Sequence, residues 1–149
     1  MKGEAAQAAR ARRAARRLLV QALYQWQMAG PAWQELHAQF AANPDFAKAD
    51  ADYFRAALAA ICADPATLDD MIARCSDLPP QRLDPVEHAI LYLGFWELRY
   101  RPDVPFRVVI NEAVELARRF GATDGHRFVN AVLDRASREY RSVERGAVA

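Results

Sequence analysis

The chain has 149 residues, a formal charge of +1, a hydrophobic fraction of 52%, six glycines and two cysteines. That length suits one domain, able to bury roughly two thirds of the surface its unfolded chain exposes. No run of about 18 apolar residues offers a membrane span, and no apolar stretch with a small-residue cleavage site follows the basic start, so a secretory signal is not expected.

The near-zero charge hides a polarity. Residues 1–30 hold six basic and one acidic residue, residues 31–80 three basic and eight acidic, and residues 81–149 eleven basic and ten acidic. Such asymmetry suits one face for a polyanion and another for a different partner. Cys62 and Cys75 stand without a CxxC or a nearby His pair. They read as small buried hydrophobes in a reducing, cytoplasmic compartment.

Helical periodicity runs through nearly the whole chain, and the expected fold class is all-α, with about seven helices. In the first, from Ala8 to about Ala29, Ala15, Leu19, Ala22, Leu23 and Trp26 share a face. Gly30-Pro31 ends it. A short helix from about Ala32 to Ala42 closes at "NP". Asp50 or Asp52 can cap a third through Ile61, and Asp64-Pro65 reads as cap and first position of a fourth, ended by "DLPP". Asp84-Pro85 opens a fifth to about Arg101, apolar almost all round and therefore central.

"RPDVP" breaks that helix. The sixth, Phe106 to Phe120, carries its stripe at Phe106, Ile110, Ala113, Val114, Ala117 and Phe120, and Gly121 stands where a left-handed C-cap is favoured. Thr123 or Asp124 is expected to cap the seventh, with its stripe at Val129, Val132, Leu133, Ala136 and Tyr140. The tail after about Ser142 is expected to fray. The organisation expected is a single domain over 1–149, with one bundle over about 8–78 and another over about 84–140.

Catalytic patterns are missing: no Gly-rich phosphate loop, HExxH, GxSxG or cysteine motif occurs. His37, His88 and His126 are scattered, so no metal site is expected, and neither a catalytic residue nor a cofactor is assigned. Asp69-Asp70 and Glu112/Glu115 read as solvated helix faces. Glu97 is the odd carboxylate, because it falls within the apolar stripe of the fifth helix. It should have a partner, and the start of the sixth helix could bring free N–H groups beside it.

The densest chemistry lies at the start of the chain. "ARARRAARRLLVQALYQWQ" places Arg10, Arg12, Arg13, Arg16 and Arg17 within eight positions. At 100° per residue from Leu19, Arg13, Tyr24, Arg17 and Arg10 fall at about 120°, 140°, 160° and 180°, so three arginines and an aromatic share one exposed face. Arg16 flanks the apolar stripe, and Arg12 points coreward near the helix start. Like charges at this spacing repel. They serve either as a solvated face or as a site for a polyanion, for which the planar guanidinium is suited. The adjoining Tyr24 favours single-stranded RNA over DNA, because bases stack on aromatic rings.

"RRLLVQALYQWQ", followed about 80 residues later by "DVPFRVVINEAVELARRFGATDGHRFVNAVLDR", resembles the NusB family of bacterial transcription antitermination factors. The resemblance implies two packed three-helix bundles and a non-enzymatic, RNA-binding role. It implies pairing with a ribosomal small-subunit protein, NusE, on the single-stranded boxA element of nascent ribosomal RNA, then joining of other Nus factors and RNA polymerase. Its RNA side falls on Arg12, Arg13 and Arg16 with Tyr24. Arg17 stands where acidic residues also occur in the family, and should strengthen the contact. From "DGHRFVN" the resemblance adds Asp124, Arg127, Phe128 and Asn130. Phe128 lies at the edge of its stripe and could either pack or stack. The ribosomal-protein partner is implied around Glu87, in keeping with the acidic bias of residues 31–80. Asn111 and Glu112 of "INEA" read as structural, and the stripes leave a homodimer open.

Two other readings compete. The same helical fold occurs as the N-terminal domain of ribosomal RNA cytosine methyltransferases, but neither Cys62 nor Cys75 sits in a catalytic context. A helical adaptor with a merely solubilising basic helix would show no salt-sensitive RNA affinity.

Overall fold

The structure, a computed structural model, describes residues 2–146. Seven α-helices and two short 3-10 turns account for its regular structure, and there is no strand among the described residues. The fold class is all-α, as the periodicity predicts. The chain divides into two compact units between Ala63 and Asp64. The fourth helix, expected with the first bundle, packs on the fifth and seventh.

The first unit contains α1 (Lys2–Ala29), α2 (Trp33–Ala41), a 3-10 turn (Pro44–Lys48) and α3 (Ala51–Ala63). Helix α1 starts about two turns earlier than its apolar stripe requires, through a run of alanines with high helix propensity. It stops at Gly30, whose φ of +66° only glycine adopts without cost. Ala15, Leu19, Ala22 and Leu23 are completely buried. Phe54 of α3 anchors an aromatic cluster, with ring centroids 5.8 Å from Phe40 and 5.3 Å from Phe46. Burying each such large side chain contributes about 1.5–3 kcal/mol.

The 3-10 turn was not expected. Asn43 starts it by accepting the Asp45 N–H at 2.8 Å, and Pro44 supplies the first-turn φ. Asp50 then caps α3 through the Tyr53 N–H at 3.1 Å.

The second unit contains α4 (Pro65–Cys75), a 3-10 turn (Pro80–Arg82), α5 (Pro85–Tyr100), α6 (Phe106–Phe120) and α7 (Gly125–Tyr140). Asp64 caps α4 through Thr67, and Asp84 accepts from the N–H groups of Val86 and Glu87. Every residue of α5 from Ala89 to Leu98 is buried, which makes it the central helix. Gly94 lets α7 come close, since a Cβ there would meet Leu133 at 2.9 Å.

Several local expectations are corrected. Gly121 is extended, with φ −87°. The left-handed residue is Asp124, with φ 66°, and its side chain makes no cap bond. Asp69 is half-buried and bonded rather than part of a freely solvated face: its two oxygens take His88 Nε2 at 2.6 Å and the Tyr92 hydroxyl at 2.9 Å, while those rings stack at 4.3 Å. The anion at the start of α6 is Glu144, which accepts the Phe106 N–H at 2.9 Å. Glu97 is indeed buried, at 2% exposure.

The tail does not fray at Ser142. Arg141 donates to the carbonyls of Glu97, Leu98, Arg101 and Val104 and to Glu144. Arg145 reaches Asp134 and Ser137.

Candidate nucleic-acid interface

Helix α1 sorts its arginines by direction. Its buried face packs on α3, and that neighbour takes two of the five. Arg12 lies with its guanidinium 4.2 Å over the Tyr53 ring and its Nε 3.9 Å from Asp50. Arg16, expected to flank the stripe, is only 3% exposed, 5.8 Å from the same ring. The opposite face keeps the others outward: Arg10 and Arg13 are exposed and Arg17 is half-buried. Tyr24, at 41% exposure, is available two turns further on.

Arg10, Arg13 and Arg17 do not stand on an open cylinder. With Gln7 they form one wall of an open groove of about 700 Å³. Its other wall comes from Ala47, Lys48 and Ala49, at the end of the 3-10 turn. No acidic side chain lines it, so the site is a channel with four cations and a floor of small alanines. Lys48 escapes sequence reasoning because it is a lone lysine in a segment without periodicity. The only signal was "NPD", which marks a turn but not its direction.

The predicted residues near the last helix belong to the second unit. Arg127 and Asn130, both exposed, line a second groove of about 610 Å³ with Asn111, Glu115, Arg118 and His126. Asn111 therefore faces this groove rather than a neighbouring helix end. Arg118 and His126 are the polar groups here that the sequence reading did not single out. Asp124 is exposed and lies 3.7 Å from Arg127. Phe128 is half-buried.

Glu87 is half-buried and turned toward the first residue of α7, where a Cβ on Gly125 would sit 2.6 Å from its Oε2. Burial, and next the charge of Asp84, raise its pKa above the usual carboxylate value.

For nucleophilic chemistry the cysteines are poorly placed. Burial pushes the Cys62 thiol up to about 12 and raises that of Cys75 as well, so each stays a neutral thiol at neutral pH. Among the described residues no group of three His, Cys, Asp or Glu could hold a metal ion, and no helix is long and apolar enough to cross a membrane.

Residues 13–138 match the model of the NusB family. A transcription antitermination protein NusB of Alcanivorax borkumensis is 51% identical over 134 residues, which is 90% of this chain and 89% of that protein. The corresponding protein of Pseudomonas entomophila is 50% identical over 133 residues, 89% of this chain and 80% of its own length. Among solved structures, T. maritima NusB superposes with a TM-score of 0.75 at 28% identity, covering 89% of this chain and 94% of that one.

Proposed function

The chain belongs to the NusB family of transcription antitermination proteins, and from that premise we propose that it binds single-stranded boxA RNA of nascent ribosomal RNA transcripts together with the ribosomal protein NusE. The observation that carries this reading is the outward stripe of Arg10, Arg13 and Arg17, with the exposed Tyr24 beyond it on α1. Cations fixed on a rigid helix release counterions when they meet phosphates, and a half-exposed tyrosine offers a ring on which a base can stack.

In this reading Arg13 and Arg17 make the direct phosphate contacts. Arg12 and Arg16, held on Tyr53, act mainly by fixing the helix that presents them. Arg127, Asn130, Asp124 and the exposed edge of Phe128 supply a second set of RNA contacts on the other unit. NusE docks around Glu87, and the complex joins other Nus factors and RNA polymerase in the cytoplasm. The relatives carry the name of a transcription regulator rather than an enzyme, and the protonated thiols of Cys62 and Cys75 fit that assignment better than a methyltransferase.

The test is fluorescence anisotropy with a boxA-type strand and a scrambled strand, with and without NusE, across a salt series. Sequence-selective binding that NusE tightens is expected. Equal binding to both strands, abolished by salt, would reduce the site to a nonspecific polyanion patch.

A further inference from the structure

We propose that the 3-10 turn Pro44–Lys48 is the second wall of an RNA-backbone channel on the first unit, with Lys48 a phosphate-contacting residue facing the arginines of α1. The proposal rests on the RNA-binding reading above and adds to it a segment that the family resemblance left without a role.

Three observations carry it. The first is charge. The groove between α1 and this turn is lined by Arg10, Arg13, Arg17 and Lys48 with no carboxylate. Among the described residues Arg10, Arg17 and Lys48 enter no ion pair. Like charges gathered along about 10 Å of helix repel one another until a polyanion lies between them.

The second is rigidity. The turn is fixed at both ends: Asn43 and Pro44 start it, and the Asp50 N–H donates to the Ala11 carbonyl of α1 at 2.9 Å. Asp50 also caps α3 through Tyr53. Lys48 is therefore held two residues from an anchor on the very helix whose arginines it faces, so its backbone need not reorder for the ammonium to meet a phosphate.

The third is shape. The remaining lining is Gln7 and the small side chains of Ala11, Ala14, Ala47 and Ala49. Four alanines leave room for a sugar–phosphate chain but offer no ring for a base to stack on. The channel thus reads charge rather than sequence, and selectivity must come from contacts outside it.

The experiment measures boxA-type and scrambled strands against the full chain and four variants over a salt series, with and without NusE and with circular dichroism as the control for folding. Lys48→Ala is expected to weaken both strands alike, by about three- to tenfold, and to lower the slope of log affinity against log salt by about 0.7. Lys48→Arg should restore both. Ala47→Trp keeps every charge but fills the channel, and should weaken both strands as well. Arg13→Glu serves as the reference for the basic face. If Arg13→Glu weakens binding while Lys48→Ala and Ala47→Trp do not, the channel is overturned and the RNA reading stands. If the unaltered chain binds neither strand, with or without NusE, the RNA reading falls and the channel with it. If Lys48→Ala harms only the boxA strand, the contact is to a base and the backbone assignment is wrong.

Discussion

The Arg12 guanidinium lies 4.2 Å over the Tyr53 ring, with its Nε 3.9 Å from Asp50, so the arginine cluster of α1 also serves as a fastening between α1 and α3. This separates two roles that a charge count merges. Arg12→Ala is expected to destabilise the protein by about 1 kcal/mol, the sum of a cation–π contact and a partly screened ion pair. Arg13→Ala, on the outward face, should leave stability nearly unchanged while weakening RNA. Urea unfolding of the two variants checks this, and equal midpoints would show that the Tyr53 contact contributes nothing.

Arg141 acts as a knot for the end of α5. Its Nε and both terminal nitrogens satisfy four carbonyls in the stretch 97–104, at 2.7–3.0 Å, and its Nη1 also pairs with Glu144 at 2.7 Å. Those of Glu97 and Arg101 also accept the backbone N–H groups of Arg101 and Val104, each at 3.0 Å, whereas that of Leu98 lies in the last turn of α5, whose carbonyls lack an intrahelical donor. Arg141→Met should cost about 3 kcal/mol or more, because it leaves buried acceptors unpaired. Arg141→Lys should recover only a fraction, since an ammonium cannot span the same set. Thermal melts of both variants provide the measure, and full recovery by lysine would mean that charge, not fork geometry, is what matters.

How much of this was legible in the sequence depended on the range of the interaction. The caps Asp64 and Asp84, the helices α5 to α7 and the all-α class followed from local spacing, because a cap and the N–H that donates to it lie within one turn. The burial of Arg16 did not follow, since a helical wheel cannot show that α3 covers that side of α1. Lys48 was invisible for the same reason: its wall exists only because the Asp50 N–H reaches Ala11, 39 positions back. The left-handed position was sought at Gly121 and found at Asp124, a residue type that also tolerates that region. Glu144 falls in the tail expected to fray because its partner, the Phe106 N–H, lies 38 residues earlier, and the role of Arg141 is hidden in the same way by acceptors about 40 residues back.

Glu87 should make stability depend on pH in an unusual direction for a carboxylate. Its folded-state pKa is raised, by burial first and Asp84 second, so the folded protein favours the protonated form. The stabilisation is therefore full below the ordinary value of 4.5 and fades as pH rises through the folded value. Glu87→Gln should raise the melting temperature at pH 7 and give no gain below pH 4.5. Gly125→Ala should push the carboxylate out of place, since the added Cβ would meet Oε2 at 2.6 Å, and Glu87→Ala in the same chain should relieve that clash. Melting curves across pH decide it. A Glu87→Gln gain that persists unchanged in acid would assign the effect to something other than ionisation.

The neighbouring acids Asp69 and Asp70 have opposite roles. Asp70 is exposed, whereas Asp69 accepts from the Tyr92 hydroxyl at 2.9 Å and bonds His88 Nε2 at 2.6 Å. Tyr92 is 4% exposed, so losing its acceptor leaves a hydroxyl in a nearly dry place. Asp69→Ala is expected to cost about 1–3 kcal/mol, while Asp70→Ala should stay within about 0.5 kcal/mol of the parent. Tyr92→Phe should recover part of the Asp69→Ala loss, because it removes the stranded hydroxyl along with its acceptor. Denaturant titration of the single and double variants tests the coupling. Strict additivity of Asp69→Ala and Tyr92→Phe would mean that this bond does not tie α4 to α5.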